Sequence, residues 1–332
     1  MTAMLELSDV SRQFVKKLDS IEKLAKKLGA SVSESCVNAV DSASFHIARG
    51  EVVGLVGESG CGKSTLGRMV AGLLPVSGGT IRFEGVDVTD AASADAKTAR
   101  LRIQMIFQDP MSSLNPRMKV EEIVGEAAVY HGLTTRREMS AYVAGILRQV
   151  GLDPAYAQRF PHQFSGGQRQ RIGIARALAV RPEFLICDES IAALDVSIQA
   201  QVINLFQDLR RELDLTYLFI SHDLSVVEHI ADRVVVMYLG RIVEIASTEA
   251  LFDDPQHPYT QALIDQVPRL GAGRQTYRTI KGEIPSPLAP PPGCHFHPRC
   301  PMAGPRCTRD TPVLRNDAGR SVACHLHDGG TE

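Results

Sequence analysis

Short apolar runs alternate with helical periodicities along most of this chain. Residues 5–10 and 43–47 read as early strands, and Val52–Val56 reads as a buried one. Residues 66–74 follow with a helical pattern. Further strands are expected at residues 102–107, 183–188 and 216–221, with a helix over Val196–Leu213. Arg233–Tyr238 and residues 241–245 flank Leu239-Gly240 and predict a hairpin. Strands in alternation with helices predict an α/β fold with a mainly parallel sheet and helices on its faces. Between Pro110 and about Leu178 the strand signal vanishes and helical patterns take over, which predicts a helical subdomain inserted into the sheet domain. From about Pro255 the texture changes again. Pro285, Pro287, Pro290, Pro291 and Pro292 cluster, and helical periodicity fades after residues 262–267, so a loop-rich C-terminal domain is expected. One further segment, residues 15–30, places Leu18, Ile21, Leu24 and Leu28 at helical spacing beside Lys16, Lys17, Lys23, Lys26 and Lys27. It reads either as a membrane-surface helix or as a solvated helix in a surface insertion, and the second is preferred.

The length of 332 residues has room for one large α/β domain and an appendage. Lysine plus arginine is 36 against 38 for aspartate plus glutamate, so no basic excess points to nucleic acid. The apolar runs fall well short of the ~20 residues that a membrane span needs, and residues 1–10 lack a signal-peptide core. A soluble, cytosolic chain is expected, with any membrane role exercised through a partner. Four of the seven cysteines (Cys294, Cys300, Cys307 and Cys324) crowd into the C-terminal stretch, a placement that suggests metal more than disulfides.

The densest chemistry lies at Gly57-Glu58-Ser59-Gly60-Cys61-Gly62-Lys63-Ser64-Thr65. This G-x-x-x-x-G-K-S loop follows the expected strand and opens the expected helix, the context in which the motif binds a nucleoside triphosphate. The glycines let backbone N–H groups turn inward around phosphates, and the helix N-terminus adds partial positive charge. Lys63 is assigned to the β- and γ-phosphates and Ser64 to Mg²⁺. Phe184-Leu185-Ile186-Cys187 ends in Asp188-Glu189. Such a strand projects Asp188 beside the phosphate loop to hold Mg²⁺, with Glu189 as general base for the attacking water. Cys61 reads as a small filler rather than a redox switch, and Cys36 and Cys187 read as structural.

Ser165-Gly166-Gly167-Gln168-Arg169-Gln170-Arg171 opens another helix, and here residues 1 to about 250 resemble the ATPase subunits of ATP-binding-cassette (ABC) transporters. The resemblance implies a P-loop NTPase with a RecA-like sheet core. It implies ATP hydrolysis, and a head-to-tail dimer in which Ser165, Gly166, Gly167 and Gln168 grip the γ-phosphate bound by the other subunit. It also implies that Gln108 senses Mg²⁺ and the attacking water, that His222 contacts the γ-phosphate, and that Asp195, after Ala193-Leu194, lies in a loop crossing the dimer interface. Phe14 is the candidate for stacking on adenine, against the alternative of core packing. The chain departs from the family in two places: Ser190 stands where a proline usually follows the glutamate, and Ala192 stands where a serine is usual.

Three stretches resemble the dipeptide and oligopeptide importer branch: residues 107–116, residues 161–164, and His257-Pro258-Tyr259-Thr260-Gln261-Ala262-Leu263 with the cysteine tail. The insertion after Phe14 resembles the second ATPase subunit of such importers. The implied division is a nucleotide-binding domain over 1–250, with its helical subdomain at about 110–178, and a C-terminal domain over 251–332. The implied partners are a second, sister ATPase subunit, two transmembrane permease subunits and an external solute-binding protein, at the cytoplasmic face of a bacterial inner membrane. Cargo stays open among peptides, nickel, glutathione and sugars, and a cassette ATPase not coupled to transport is the rival reading. By spacing the four tail cysteines suit a tetrahedral zinc or an iron–sulfur cluster. The resemblance favours a four-iron cluster, and no metal at all is the third alternative. His295, His297, His325 and His327 flank them as substitute ligands or as plain loop residues.

Overall fold

The computed structural model describes residues 3–16, 35–90, 92–109, 113–192, 194–267, 282–317 and 319–328. The chain runs through β1 (Ala3–Lys16), β2 (Ser35–Ala48), β3 (Val52–Val56), α1 (Lys63–Val70), β4 (Gly78–Phe83), β5 (Val86–Asp87), α2 (Ala94–Leu101) and β6 (Ile103–Ile106). The helices α3 (Val120–Tyr130), α4 (Met139–Gln149) and α5 (Gly166–Leu178) come next, with no strand between them among the described residues. Then follow β7 (Phe184–Asp188), α6 (Val196–Leu213), β8 (Thr216–Ile220), α7 (Leu224–Ile230), β9 (Arg233–Tyr238), β10 (Arg241–Ser247), α8 (Thr248–Asp253), α9 (Pro258–Ile264), β11 (Arg315–Asp317) and β12 (Arg320–Val322).

The strands form two sheets, one in the order β2-β1-β4-β5 and a larger one in the order β11-β12-β10-β9-β3-β8-β7-β6. Within the larger sheet, β9, β3, β8, β7 and β6 are parallel neighbours, while β10 and β12 add antiparallel. The parallel strands are buried on both faces, which is why their sequences are continuous apolar runs rather than alternations. Val52 and Val56 of β3 pack into a core shared with the helices α3–α6, and Val53 and Leu55 pack into the core shared with the smaller sheet. β7 splits in the same way, Leu185 and Cys187 to the helical side, Phe184 and Ile186 to the other.

The first strands are longer than their hydrophobic pattern indicates. β1 and β2 pair along their length, Phe14 opposite Val37 and Val15 opposite Cys36, so Val15 and Lys16 end a strand rather than start a helix. The remainder of that segment, residues 17–30, lies outside the described residues. β4, β5, α2, α7 and α8 carry no strong periodicity and emerge only in the folded chain. The helix after the phosphate loop begins at Lys63, inside the motif, and the C-terminal stretch is not purely loop: its hairpin β11–β12 extends the main sheet through β10.

An ion network ties the two sheets on the side away from the phosphate loop. Arg102 grips Glu183 with Nε at 2.6 Å and Nη2 at 2.7 Å, Arg49 adds a bond at 3.0 Å, and both arginines also bind Glu84. The hydrogen bonds from Arg102 hold the Glu183 carboxyl below its ordinary range, with burial opposing and Arg49 assisting. The stabilisation from Glu183 is therefore complete above the ordinary carboxylate pKa and is lost as pH falls through the depressed folded value. Because the groups are partly exposed, the effect is about 0.5–1 kcal/mol. Glu183→Gln is expected to cost that much at neutral pH and to converge with the parent chain in strong acid, as read from urea unfolding at a series of pH values.

Candidate nucleotide-binding and hydrolytic site

At the C-terminal end of β3 the chain turns through residues 57–62 before α1 begins. Gly57 (φ 150°), Gly60 (φ 79°) and Gly62 (φ 109°) hold positive φ. A Cβ on Gly57 would stand 2.1 Å from the carbonyl oxygen of Met237, and one on Gly62 would stand 2.1 Å from that of Ala39. Glycine is thus required at both positions by backbone conformation and by neighbouring backbone. Gly240, in the β9–β10 turn, donates its N–H to the Cys61 carbonyl at 2.9 Å and braces the loop from the sheet side. Lys63 is buried, and its ammonium donates to the carbonyls of Gly57 (2.7 Å) and Glu58 (3.0 Å). Cys61 is buried beside it, and burial pushes its thiol pKa up, as suits a small filler.

The acid pair arrives from β7. Asp188 is its last residue, in register with Ile220 of β8, and accepts a 2.7 Å bond from the Ser64 hydroxyl. Burial raises the Asp188 pKa, and the Ser64 bond opposes that shift. Glu189 follows with φ 45°, a left-handed conformation held by its N–H bond to the Ile220 carbonyl at 3.0 Å. This backbone costs a non-glycine residue about 1 kcal/mol. It points the carboxylate at two of the expected companions: Gln108 Nε2 donates to Oε2 at 2.7 Å, and His222 Nδ1 lies 3.4 Å from Oε1.

Ser59, Gly60, Gly62, Lys63, Ser64, Thr65, Gln108 and Glu189 line one cavity of about 350 Å³, while Asp188 and His222 stand behind Ser64 and Glu189 and are not part of its wall. Its other walls, Val37, Asn38, Ala39, Leu239, Gly240 and Pro287, carry no sequence signal, because three separate segments supply them. Phe14 pairs opposite Val37 but does not itself line the cavity. It is 39% exposed, with the Arg12 guanidinium 4.7 Å over its ring. Ser165 caps α5, accepting from Gln168 N–H at 3.4 Å while the Gln168 side chain accepts from Ser165 N–H at 3.1 Å. This serine-glycine helix start, Gly166 and Gly167 included, is not part of the cavity wall, nor is Asp195, which is exposed at the start of α6. Ser190 is buried and Ala192 exposed. Ala193 and residues 110–112 lie outside the described residues.

Two tail residues missed in the sequence reach the phosphate loop. Tyr259 of α9 accepts the Glu58 N–H at 2.8 Å, and Arg299 clasps the Glu58 carboxylate at 2.6 and 2.9 Å. Nothing in the spacing of Glu58, Tyr259 and Arg299 along the chain announces the contact.

Cys294, Cys300, Cys307 and Cys324 line a single cavity of about 20 Å³ with Phe296 and His257. No disulfide forms. Burial raises the thiol pKa of Cys294 and Cys300 and takes that of Cys324 to about 11, which favours neutral thiols. Backbone N–H groups of Phe296, Met302 and Leu326 act in the opposite sense on Cys294, Cys300 and Cys324. Among the described residues no three His, Cys, Asp or Glu side chains are arranged to hold a metal ion. The expected four-iron cluster, and zinc in its place, therefore find no support in this arrangement: the thiols share a cavity but do not form a ligand set. The flanking histidines are committed elsewhere, His295 to the Leu239 carbonyl, His297 to the Cys294 carbonyl, His325 to Asp328 and His327 to the Gln256 carbonyl.

A phosphate-cradling loop with a buried lysine, beside a serine-bound aspartate and a glutamate held between a glutamine and a histidine, defines a P-loop nucleoside triphosphatase. A family model described as ABC transporter matches residues 40–192, and one described as oligopeptide/dipeptide transporter, C-terminal region, matches residues 243–307. The chain is 49% identical over 329 residues to the oligopeptide transport ATP-binding protein AppF of Bacillus subtilis, covering 98% of this chain and 97% of that one. A Brucella abortus relative with a peptide-import ATP-binding name is 52% identical over 88% of this chain and 87% of its own. Among solved structures, cbiO1 of Clostridium perfringens, part of the ABC transporter complex cbiONQ, aligns at TM-score 0.62 with 26% identity, over 76% of this chain and 91% of that one. The chain belongs to the ATP-binding subunits of ABC transporters, and its enzymatic class is ATP hydrolysis. Among the described residues no helix is long and apolar enough to cross a membrane.

Gly62→Ala forces a Cβ against the Ala39 carbonyl in a backbone region that L-residues rarely adopt. It is expected to lower the unfolding free energy by about 2 kcal/mol or more and to weaken ATP binding, checked by denaturant unfolding alongside equilibrium nucleotide titration.

Proposed function

We propose that this protein is the ATP-hydrolysing subunit of an importer of peptides or related small solutes. The observation that carries the chemistry is the convergence of Lys63, Ser64, Gln108, Asp188, Glu189 and His222 around the phosphate-loop end of β3. Support for peptide cargo is the relationship to peptide-import ATP-binding proteins across nearly the whole chain, tail included. On this reading residues 1–250 are the cassette, with its helical region at about 110–178, and residues 251–332 are the tail. The chain works with a second ATPase subunit, two permease subunits and a solute-binding protein, at the cytoplasmic face of the cell membrane.

The loop amides and the N-terminus of α1 bind the phosphates, with Lys63 leaving its carbonyl partners for the β- and γ-phosphate oxygens. Ser59 and Thr65 complete the cradle beside Gly60, Cys61 and Gly62. Ser64, Asp188 and Gln108 offer the oxygen donors that suit Mg²⁺, which when bound would neutralise phosphate charge. Glu189 accepts the proton of the attacking water. Gln108 and His222 fix the carboxylate and leave one face of it toward the cavity, and His222 also contacts the γ-phosphate. The helix start at Ser165–Gly166–Gly167–Gln168, with Ser165 and Gly166 exposed, and the exposed Asp195 serve the partner subunit, where they close on its nucleotide. Phe14, placed opposite Val37 at the cavity wall, supplies the adenine contact. Closure of the dimer on ATP and its release after hydrolysis bias the permease between two states.

Glu189→Gln is expected to lower turnover by about a hundredfold or more while ATP binding persists. Steady-state phosphate release and nucleotide titration on the same preparation separate the two effects. Undiminished turnover removes Glu189 from the base role.

The finer reading of the tail is a four-thiolate metal centre, iron–sulfur or zinc, held by Cys294, Cys300, Cys307 and Cys324. Its support is the donor set alone: four thiols on one cavity, three with backbone N–H groups nearby. Holding a metal requires the thiols to draw together and ionise. Anaerobic purification with iron, sulfide and zinc analysis tests it. Iron with a broad visible absorbance supports the cluster, colourless zinc the clamp, and a metal-free chain ends this reading.

A further inference from the structure

Glu58 is an acidic residue inside a loop that must bind a polyanion. Unpartnered, its carboxylate would repel the phosphates that the neighbouring amides attract. In the structure every polar group of Glu58 is engaged. The carbonyl accepts from Lys63 at 3.0 Å, the N–H donates to Tyr259 Oη at 2.8 Å, and the carboxylate takes both terminal nitrogens of Arg299 at 2.6 and 2.9 Å. The last two partners come from 201 and 241 residues further along the chain.

Arg299 is held for this task. Its side chain is 5% exposed, its Nη1 also reaches Tyr238 Oη at 3.3 Å, and its guanidinium stands 5.8 Å over the Tyr238 ring. Tyr259, Tyr238 and Phe296 pack together beside it with ring centroids 4.7–5.3 Å apart, Tyr238 and Phe296 edge to face and the other two pairs tilted. Among the described residues its Nε has no partner. A buried ion pair with an unpaired donor is a poor source of stability, since apolar side chains of like volume do as well or better. The bidentate geometry instead fixes the direction of a carboxylate and cancels its charge.

We infer that Arg299 and Tyr259 are positioning residues of the ATP site, which turn Glu58 away from the phosphates, neutralise it and lock the peptide that opens the loop. This rests on the nucleotide-site reading above. It makes the C-terminal tail a working part of that site: Arg299 lies between Cys294 and Cys300, so the loop that binds phosphate is tied to the wall of the cysteine cavity.

The test uses full-length protein and MgATP, with equilibrium Kd, KM and kcat measured alongside thermal unfolding. Arg299→Gln is expected to raise Kd and KM about tenfold or more, with kcat at saturation within about twofold. Adding Glu58→Gln removes the carboxylate left unpaired and is expected to return Kd to within about threefold of the parent. Tyr259→Phe, which deletes one hydroxyl, is expected to raise Kd by about threefold. If Arg299→Gln does not fold, the Glu58→Gln/Arg299→Gln double variant decides alone, because it buries no unpaired charge. Parent-like Kd in that double variant supports the inference, and a tenfold loss overturns it. A folded Arg299→Gln variant that binds ATP like the parent also overturns it, leaving Arg299 a packing residue. Absence of ATP binding by the parent chain would instead fail the nucleotide-site reading and carry this inference down with it.

Discussion

The parallel pairing of β3 with β8 on one side and β9 on the other is the constraint on which the site depends. It brings the end of β3, where the phosphate loop leaves, to the same edge as the end of β8, from which His222 follows, and the end of β7, which delivers Asp188 and Glu189. All five residues of β3, β7 and β8 are buried, so the register cannot slip without exposing an apolar face. Hydrophobic burial on both sides of the sheet thus sets the distances at which polar groups meet, including the 2.7 Å bond between Ser64 and Asp188.

A second layer of support comes from outside the parallel strands. The turn at Leu239-Gly240 braces Cys61, the antiparallel strand β2 closes one wall at residues 37–39, and the tail contributes Pro287, Tyr259 and Arg299. The hairpin β11–β12 attaches the tail to the sheet edge, and Arg320 beside buried Glu244 secures it there, while Glu244 accepts the backbone N–H groups of Gln256 and His257 at the entrance to α9. His257 stays neutral, its pKa taken down to about 3 chiefly by burial, and its Nδ1 accepts the Tyr259 N–H. The tail is therefore positioned by the same sheet that positions the loop it touches.

Much of the chemistry was legible before folding. The motifs were visible along the chain, and folding bonds Ser64 to Asp188 and Gln108 to Glu189 and sets His222 3.4 Å from Glu189; α6 and β9 keep the limits that periodicity assigns. The early segments were less legible. Val15 and Lys16 begin the lysine-rich segment read as a helix, yet pairing with β2 holds them in a strand, because cross-strand hydrogen bonding outweighs local helical preference. β4 and β5 alternate only weakly and gain their place by pairing with β1 and with each other. The cysteine tail shows the opposite limit: spacing proposed a ligand set, and the folded chain gathers the thiols around a cavity without making one.

By itself the sequence determined what rests on local sterics and local periodicity. Glycines at Gly57, Gly60 and Gly62 permit one tight loop, the apolar run before them makes one buried strand, and the residues after them continue as a helix. The tertiary structure alone decided which distant segments wall the nucleotide cavity, that Glu189 points between Gln108 and His222, and that the Glu58 carboxylate is answered by Arg299. Those outcomes depend on strand order, register and the burial of an aromatic cluster. Each is a long-range contact whose partners carry no mark of one another until the chain has closed around its core.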